Sequence, residues 1–202
     1  MFSNQQVKIV RYKQIATKQD CFNALSDDIT AVYAWFRDLT LSEADLASEE
    51  KFVTTIMQWL EDPLPLSENQ ESDISIFYKL GITIKSEKLR RKKERSLKQY
   101  AEKESIRKEI GRALETATFL QTPLYIGKAD NRLASRVWEH VNRDTDLWNR
   151  LEKVGLSLQN CLLVYMPISN SNDIDADLTP LVQLVEDIIT KLSRPGLVRR
   201  SG

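Results

Sequence analysis

The feature that most constrains this chain is the stretch from Leu124 to Val141. Leu124-Tyr125-Ile126 is a short apolar run of β type that opens after Pro123, Gly127 offers a turn, and a helix is predicted from near Asp130 or Asn131. In that helix Leu133, Val137 and Val141 recur every four residues and form one buried stripe. Arg132, Arg136 and His140 share the spacing on the adjacent flank, so three basic side chains point one way. A tyrosine-bearing strand and a cationic row converge on a spot suited to an anion.

Tyr125-Ile126-Gly127-Lys128-Ala129, then Asn131, then Arg136 followed four residues on by His140 resemble the second half of the GIY-YIG nuclease domain. That family spans repair, restriction and homing endonucleases. Its first motif has a counterpart upstream. Residues 29–36 (ITAVYAWF) are rich in β-branched and aromatic types and read as a strand, with Ala31, Tyr33 and Trp35 on one face. Ala31-Val32-Tyr33 stands where the family has Gly-Ile-Tyr, a departure at the glycine that retains the tyrosine.

In the family the two tyrosine strands form a hairpin, but Tyr33 and Tyr125 lie 92 residues apart. The resemblance therefore implies a nuclease domain over 1–40 and 120–202, with residues 41–119 inserted as a protruding helical arm. Ser42 to Leu60 reads as a helix, with Ser42 and Asp45 as a cap and Leu46, Val53, Ile56, Met57 and Leu60 as the apolar face. Pro63 and Pro65 end it, Ser67 to Asp73 reads as an acidic loop, and Ile74 to Ile84 fits strand or helix. Lys85 to Ala117 has no proline and one glycine, a composition that predicts one long helix. The arm is polarised, net −8 over residues 41–75 and net +7 over 85–108. Elsewhere Val7 and Ile9 suggest a short strand, and Lys18 to Leu25 a helical turn. Asp146 to Val154 suggests a short helix, and Cys161 to Met166 a strand buried on both faces. From Asp177 or Thr179 a last helix carries the stripe Leu181, Leu184, Val185, Ile188 and Leu192.

Glu186 sits on the flank of that stripe, where a carboxylate is costly unless something positive meets it. Glu186 to Pro195 resembles the family's last motif, in which a helix glutamate holds the metal; the asparagine usual after it is replaced here by Leu197-Val198. Carried over by position, the resemblance implies Glu186 as ligand of one Mg²⁺ or Mn²⁺, and Arg136 as the phosphate-binding fork. It implies Tyr125 as general base, Tyr33 as its hydrogen-bonding partner, and His140 as a proton relay or phosphate contact. A free phenol has a pKa near ~10 and needs a neighbouring cation to serve as a base at neutral pH. Lys128 and Arg132 are expected as backbone grips, and Arg90, Arg91, Lys92 and Lys93 as a further nucleic-acid contact. Singly, each residue has an ordinary structural explanation; their joint order on strand, strand, helix, helix and helix carries the assignment.

The expected fold is α/β, a small, mainly antiparallel three-stranded sheet flanked by helices. The expected function is a divalent-metal-dependent endonuclease acting on DNA rather than RNA. The alternative is a catalytically impaired binding subunit that docks a protein partner or forms a homodimer through the arm. Bulk charge is neutral, with 29 basic and 29 acidic residues, and names no partner. Two cysteines and one histidine make no zinc site worth proposing. Met1-Phe2-Ser3-Asn4 lacks the regions of a signal peptide, and no run approaches a membrane span, so a cytoplasmic setting with reduced thiols and no membrane partner is expected.

Overall fold

A computed structural model describes residues 7–61, 70–75, 78–82, 89–153, 155–168 and 178–193. Along the chain the elements are β1 (Lys8–Arg11), α1 (Lys18–Ala24), β2 (Ala31–Arg37), α2 (Glu43–Ala47), α3 (Glu49–Glu61), β3 (Gln70–Ser75), β4 (Tyr78–Ile82), α4 (Arg91–Ala101), α5 (Glu104–Ala117), β5 (Tyr125–Ala129), α6 (Leu133–Val141), α7 (Leu147–Lys153), β6 (Cys161–Pro167) and α8 (Thr179–Ser193). They fall into two units, residues 1–38, 119–153 and 157–202 in the first and residues 39–118 and 154–156 in the second.

The first unit is α/β, built on a four-stranded sheet in the order β1-β6-β2-β5 with every pair antiparallel. The fourth strand, beyond the three expected, is β1, which pairs along β6 from Lys8↔Tyr165 to Arg11↔Leu162. Pairing of β2 with β5 sets Tyr33 opposite Gly127 and Trp35 opposite Tyr125. Because side chains alternate along a strand, Ala31, Tyr33, Trp35, Tyr125 and Gly127 share one face, and Val32, Ala34, Ile126 and Lys128 the other. On the second face Val32 and Ile126 pack with Val182, Val185 and Ile189 of α8.

That packing corrects the expected stripe on α8. Two apolar stripes run side by side on this helix, and the sheet takes the one through Val182, Val185 and Ile189. Leu181, Leu184, Ile188 and Leu192 remain between 45% and 80% exposed. Gly127 is likewise not a turn but the middle of β5, and the helix after it starts at Leu133 rather than Asp130. Between them Asn131 holds the left-handed backbone (φ 51°) that asparagine tolerates, and its N–H donates to Thr30 Oγ1 at 3.2 Å. The residue before α6, Arg132, gives no side-chain cap. Asp27 acts instead, accepting from Ser135 N at 2.6 Å and from Ser135 Oγ at 2.5 Å, so one orphan backbone donor in the first turn of α6 is satisfied from across the unit.

The second unit has its own core, Leu41, Phe52, Ile56 and Ala101, with Leu46, Leu97, Ile110 and Leu114 packed against it. It is a compact unit and not a single arm. Ser42 and Asp45 form the expected capping box, but the helix breaks at Ser48, whose hydroxyl accepts from Lys51 N as α3 begins. Gln70 to Asp73 belong to β3, which pairs antiparallel with β4; Pro63, Pro65 and Ser67 lie outside the described residues. The long helix expected over residues 85–117 is two, broken at Glu102–Lys103. A buried arginine accounts for the break. Arg107 Nη1 donates to Ala101 O (2.6 Å) and Glu102 O (3.4 Å), capping α4, while its Nε and Nη2 donate to Leu46 O (2.7 Å) and Ala47 O (3.2 Å) at the end of α2.

Candidate active site

Gly127 is where the site is built. A Cβ at this position would lie 2.6 Å from Tyr33 Oη, 2.7 Å from Tyr33 Cζ and 2.8 Å from Tyr125 Cε1. The tip of the Tyr33 side chain, Cζ and Oη, therefore lies over Gly127 of β5, an edge strand of the sheet. The Tyr125 ring stands beside it, centroids 6.2 Å apart. His140 of α6 closes the group, 5.8 Å from the Tyr33 ring and 5.2 Å from the Tyr125 ring.

Tyr33 Oη and His140 Nε2 are hydrogen-bonded at 2.7 Å, and His140 Nδ1 and Thr145 Oγ1 at 2.8 Å. Tyr33 and His140 each expose only 1% of their surface. Burial, and then the Arg136 guanidinium nearby, push the His140 pKa down to about 3. The imidazole is therefore neutral at physiological pH. This corrects the cationic row inferred from spacing, since the third member is enclosed against Tyr33 and uncharged. Burial also raises the Tyr33 pKa well above its ordinary value, with the Tyr125 charge adding to the rise and Arg136 opposing it.

The depressed histidine sets a pH dependence of stability. A group whose folded pKa lies below its unfolded value stabilises the fold above the unfolded pKa and loses that contribution as pH falls toward the folded one. For His140 the window runs from pH 6.5 down to about 3. Wild type should be destabilised through this group by about 2 kcal/mol at pH 5 relative to pH 7. His140→Gln, uncharged throughout, should show an acid limb flatter by that amount in urea melts at the two pH values; equal slopes would refute the assignment.

Arg136 and Arg132 share one carboxylate. Arg136 Nη1 donates to Glu139 Oε2 at 2.5 Å, and Arg132 Nη2 donates to Glu139 Oε1. Arg136 is half-buried and its charged form is favoured by Tyr33, Glu139 and Tyr125 against the desolvation that opposes it. Glu186 stands on α8, the helix packed on the sheet face opposite the tyrosine rings. Its pKa is raised, first by burial; Lys128 and Arg136 lower it, and Asp187 and Asp130 raise it. Arg136 is thus the charge felt by both the tyrosine cluster and Glu186. Asp130 Oδ2 accepts from Lys128 Nζ at 3.2 Å, while its Oδ1 is enclosed with no hydrogen-bond partner. Among the described residues no three or more histidine, cysteine, aspartate or glutamate side chains cluster, so a cation here would be held by one or two carboxylates and water.

The structure brings together Tyr33, Tyr125, Arg136 and His140 with Gly127 of the same motif, and adds Glu139 and Thr145, which the sequence did not single out. Lys128 is half-buried on Asp130, and Arg132 is exposed. In the second unit Arg90, Arg91, Lys92 and Lys93 are exposed at the start of α4. Leu197 and Val198 lie outside the described residues. Also among the described residues, no helix is long and apolar enough to cross a membrane. Comparisons with protein-family models, curated proteins and solved structures return no match to this chain.

Proposed function

We propose that this chain is a divalent-metal-dependent endonuclease of the GIY-YIG type, hydrolysing phosphodiester bonds, with DNA as the preferred substrate. One observation carries the reading: two tyrosines from strands 92 residues apart meet over a glycine that a single methyl group would close, beside an arginine and a neutral histidine.

In this reading Tyr125, which keeps partial solvent access, is the phenol a water molecule reaches, and it acts as general base. Tyr33, sealed and bonded to His140, orients that phenol. Arg136 leaves Glu139 and presents its fork to the scissile phosphate. Glu186 and the enclosed oxygen of Asp130 fit a hard divalent cation, Mg²⁺ or Mn²⁺, and would hold it. A divalent ion held there would supply positive charge against that developing on the phosphate and leaving oxygen. Lys128 and Arg132 grip the backbone near the cut, and the α4 residues Arg90, Arg91, Lys92 and Lys93 add phosphate contacts that weaken with salt.

The test is cleavage of plasmid DNA and of labelled RNA in Mg²⁺ and in Mn²⁺. Tyr125→Phe and Glu186→Gln should each lower cleavage by about 100-fold or more while melting like wild type. Wild type that binds DNA without cutting it in either metal would sink the enzyme reading and favour a binding subunit, with a protein partner or second copy engaged through residues 41–119.

A further inference from the structure

We propose that Thr145 is a positioning residue that fixes the tautomer of His140, keeping the ring proton on Nδ1 and the Nε2 lone pair turned to the Tyr33 hydroxyl. In this closed space each polar atom needs its partner from within. A neutral imidazole has one donor and one acceptor, and here each nitrogen faces one hydroxyl: Nε2 faces Tyr33 at 2.7 Å and Nδ1 faces Thr145 at 2.8 Å.

The two hydroxyls differ in what else they can do with their protons. Tyr33 is sealed, so its O–H must be satisfied inside, and the guanidinium of Arg136 beside it offers only donors. The acceptors beside it are His140 Nε2, at 2.7 Å, and the Tyr125 hydroxyl, and the imidazole nitrogen is the stronger of the two. Thr145 is half-exposed, so its own proton can turn to solvent while its oxygen accepts from Nδ1. With the reverse tautomer Tyr33 would accept from His140 and donate to the weaker acceptor, Tyr125, so the proton Thr145 accepts from Nδ1 tips the balance.

The chain is shaped to bring Thr145 back to the ring five residues earlier. Asn142 N donates to Trp138 O at 2.7 Å as α6 ends, and Arg143 takes the left-handed backbone at φ 66°. Asp144 N then donates to Glu139 O at 2.9 Å, and the Trp148 indole of α7 donates to the His140 carbonyl. Under the endonuclease reading, on which its catalytic meaning rests, the arrangement makes His140 the acceptor of the Tyr33 proton.

The chain has one histidine, so its ring ¹⁵N signals need no assignment. In wild type, Nδ1 should appear as the protonated nitrogen and Nε2 as the bare one. Thr145→Ser should keep that pattern, and Thr145→Val should move most of the proton to Nε2. A wild-type proton on Nε2, or a Thr145→Val pattern equal to wild type, overturns the proposal. This readout uses no cleavage, so it stands or falls separately from the endonuclease reading. In protein that cuts DNA, Thr145→Val should also lower kcat by about tenfold or more, with Thr145→Ser restoring it; an unchanged kcat overturns the catalytic part.

Discussion

Gly127→Ala is expected to destabilise the first unit by about 3 kcal/mol and to abolish the Tyr33–His140 hydrogen bond. The added methyl would sit within 2.8 Å of two ring carbons and one hydroxyl oxygen from two tyrosines. Neither obvious escape is open. Tyr33 is sealed and cannot swing to solvent, and β5 is fixed in register against β2 from Ala31↔Ala129 to Trp35↔Tyr125. The conflict is pairwise, so it can be isolated. In the double variant Tyr33→Ala/Gly127→Ala the summed destabilisation should fall short of the two single effects by more than about 1 kcal/mol. Additive effects, or a Gly127→Ala protein with an unperturbed histidine environment, would show that the ring does not lie over the strand.

Arg107→Met should have a comparable effect on the second unit, about 3 kcal/mol. The side chain is buried and satisfies carbonyls from two helix ends, Leu46 and Ala47 of one pair and Ala101 and Glu102 of the other. Methionine fills similar volume but leaves these acceptors without donors inside the unit. Arg107→Lys should recover less than half, because a point ammonium cannot reproduce a planar fork over separate acceptors. Hydrogen exchange reads the result locally, with protection lost in α2, α4 and α5. Wild-type protection in Arg107→Met would mean that these carbonyls find other donors at little cost.

How much of this was legible beforehand depended on whether the cause was local. Strand β2 was marked by Ile29 to Phe36, and β6 by the apolar run at Cys161, because side-chain type and length suffice there. The buried stripe Leu133, Val137 and Val141 was readable for the same reason. The break between α4 and α5 was not, since its cause is a guanidinium that collects carbonyls from residues 46 and 47. On α8, periodicity marked an apolar helix but not which of two adjacent stripes the sheet would take. The site divides in the same way. Tyr33, Tyr125, Arg136 and His140 were named by their order along the chain, yet the neutrality of His140 follows only from its enclosure. Thr145 and Asp27 carried no motif, as each acts through a contact made by folding.

The separation of the two tyrosine strands has a kinetic consequence. Joining β2 to β5 requires closing a connection of 87 residues, 38–124, and for a flexible chain that would oppose pairing. Leu39 N, at one end of the inserted unit, donates to Thr118 Oγ1, at the other, at 3.1 Å. Once that unit has folded, its ends are adjacent and the long connection behaves as a short one, removing about 2–3 kcal/mol of closure entropy from the later step. The insertion should therefore form first, and the central sheet should assemble around its two exits.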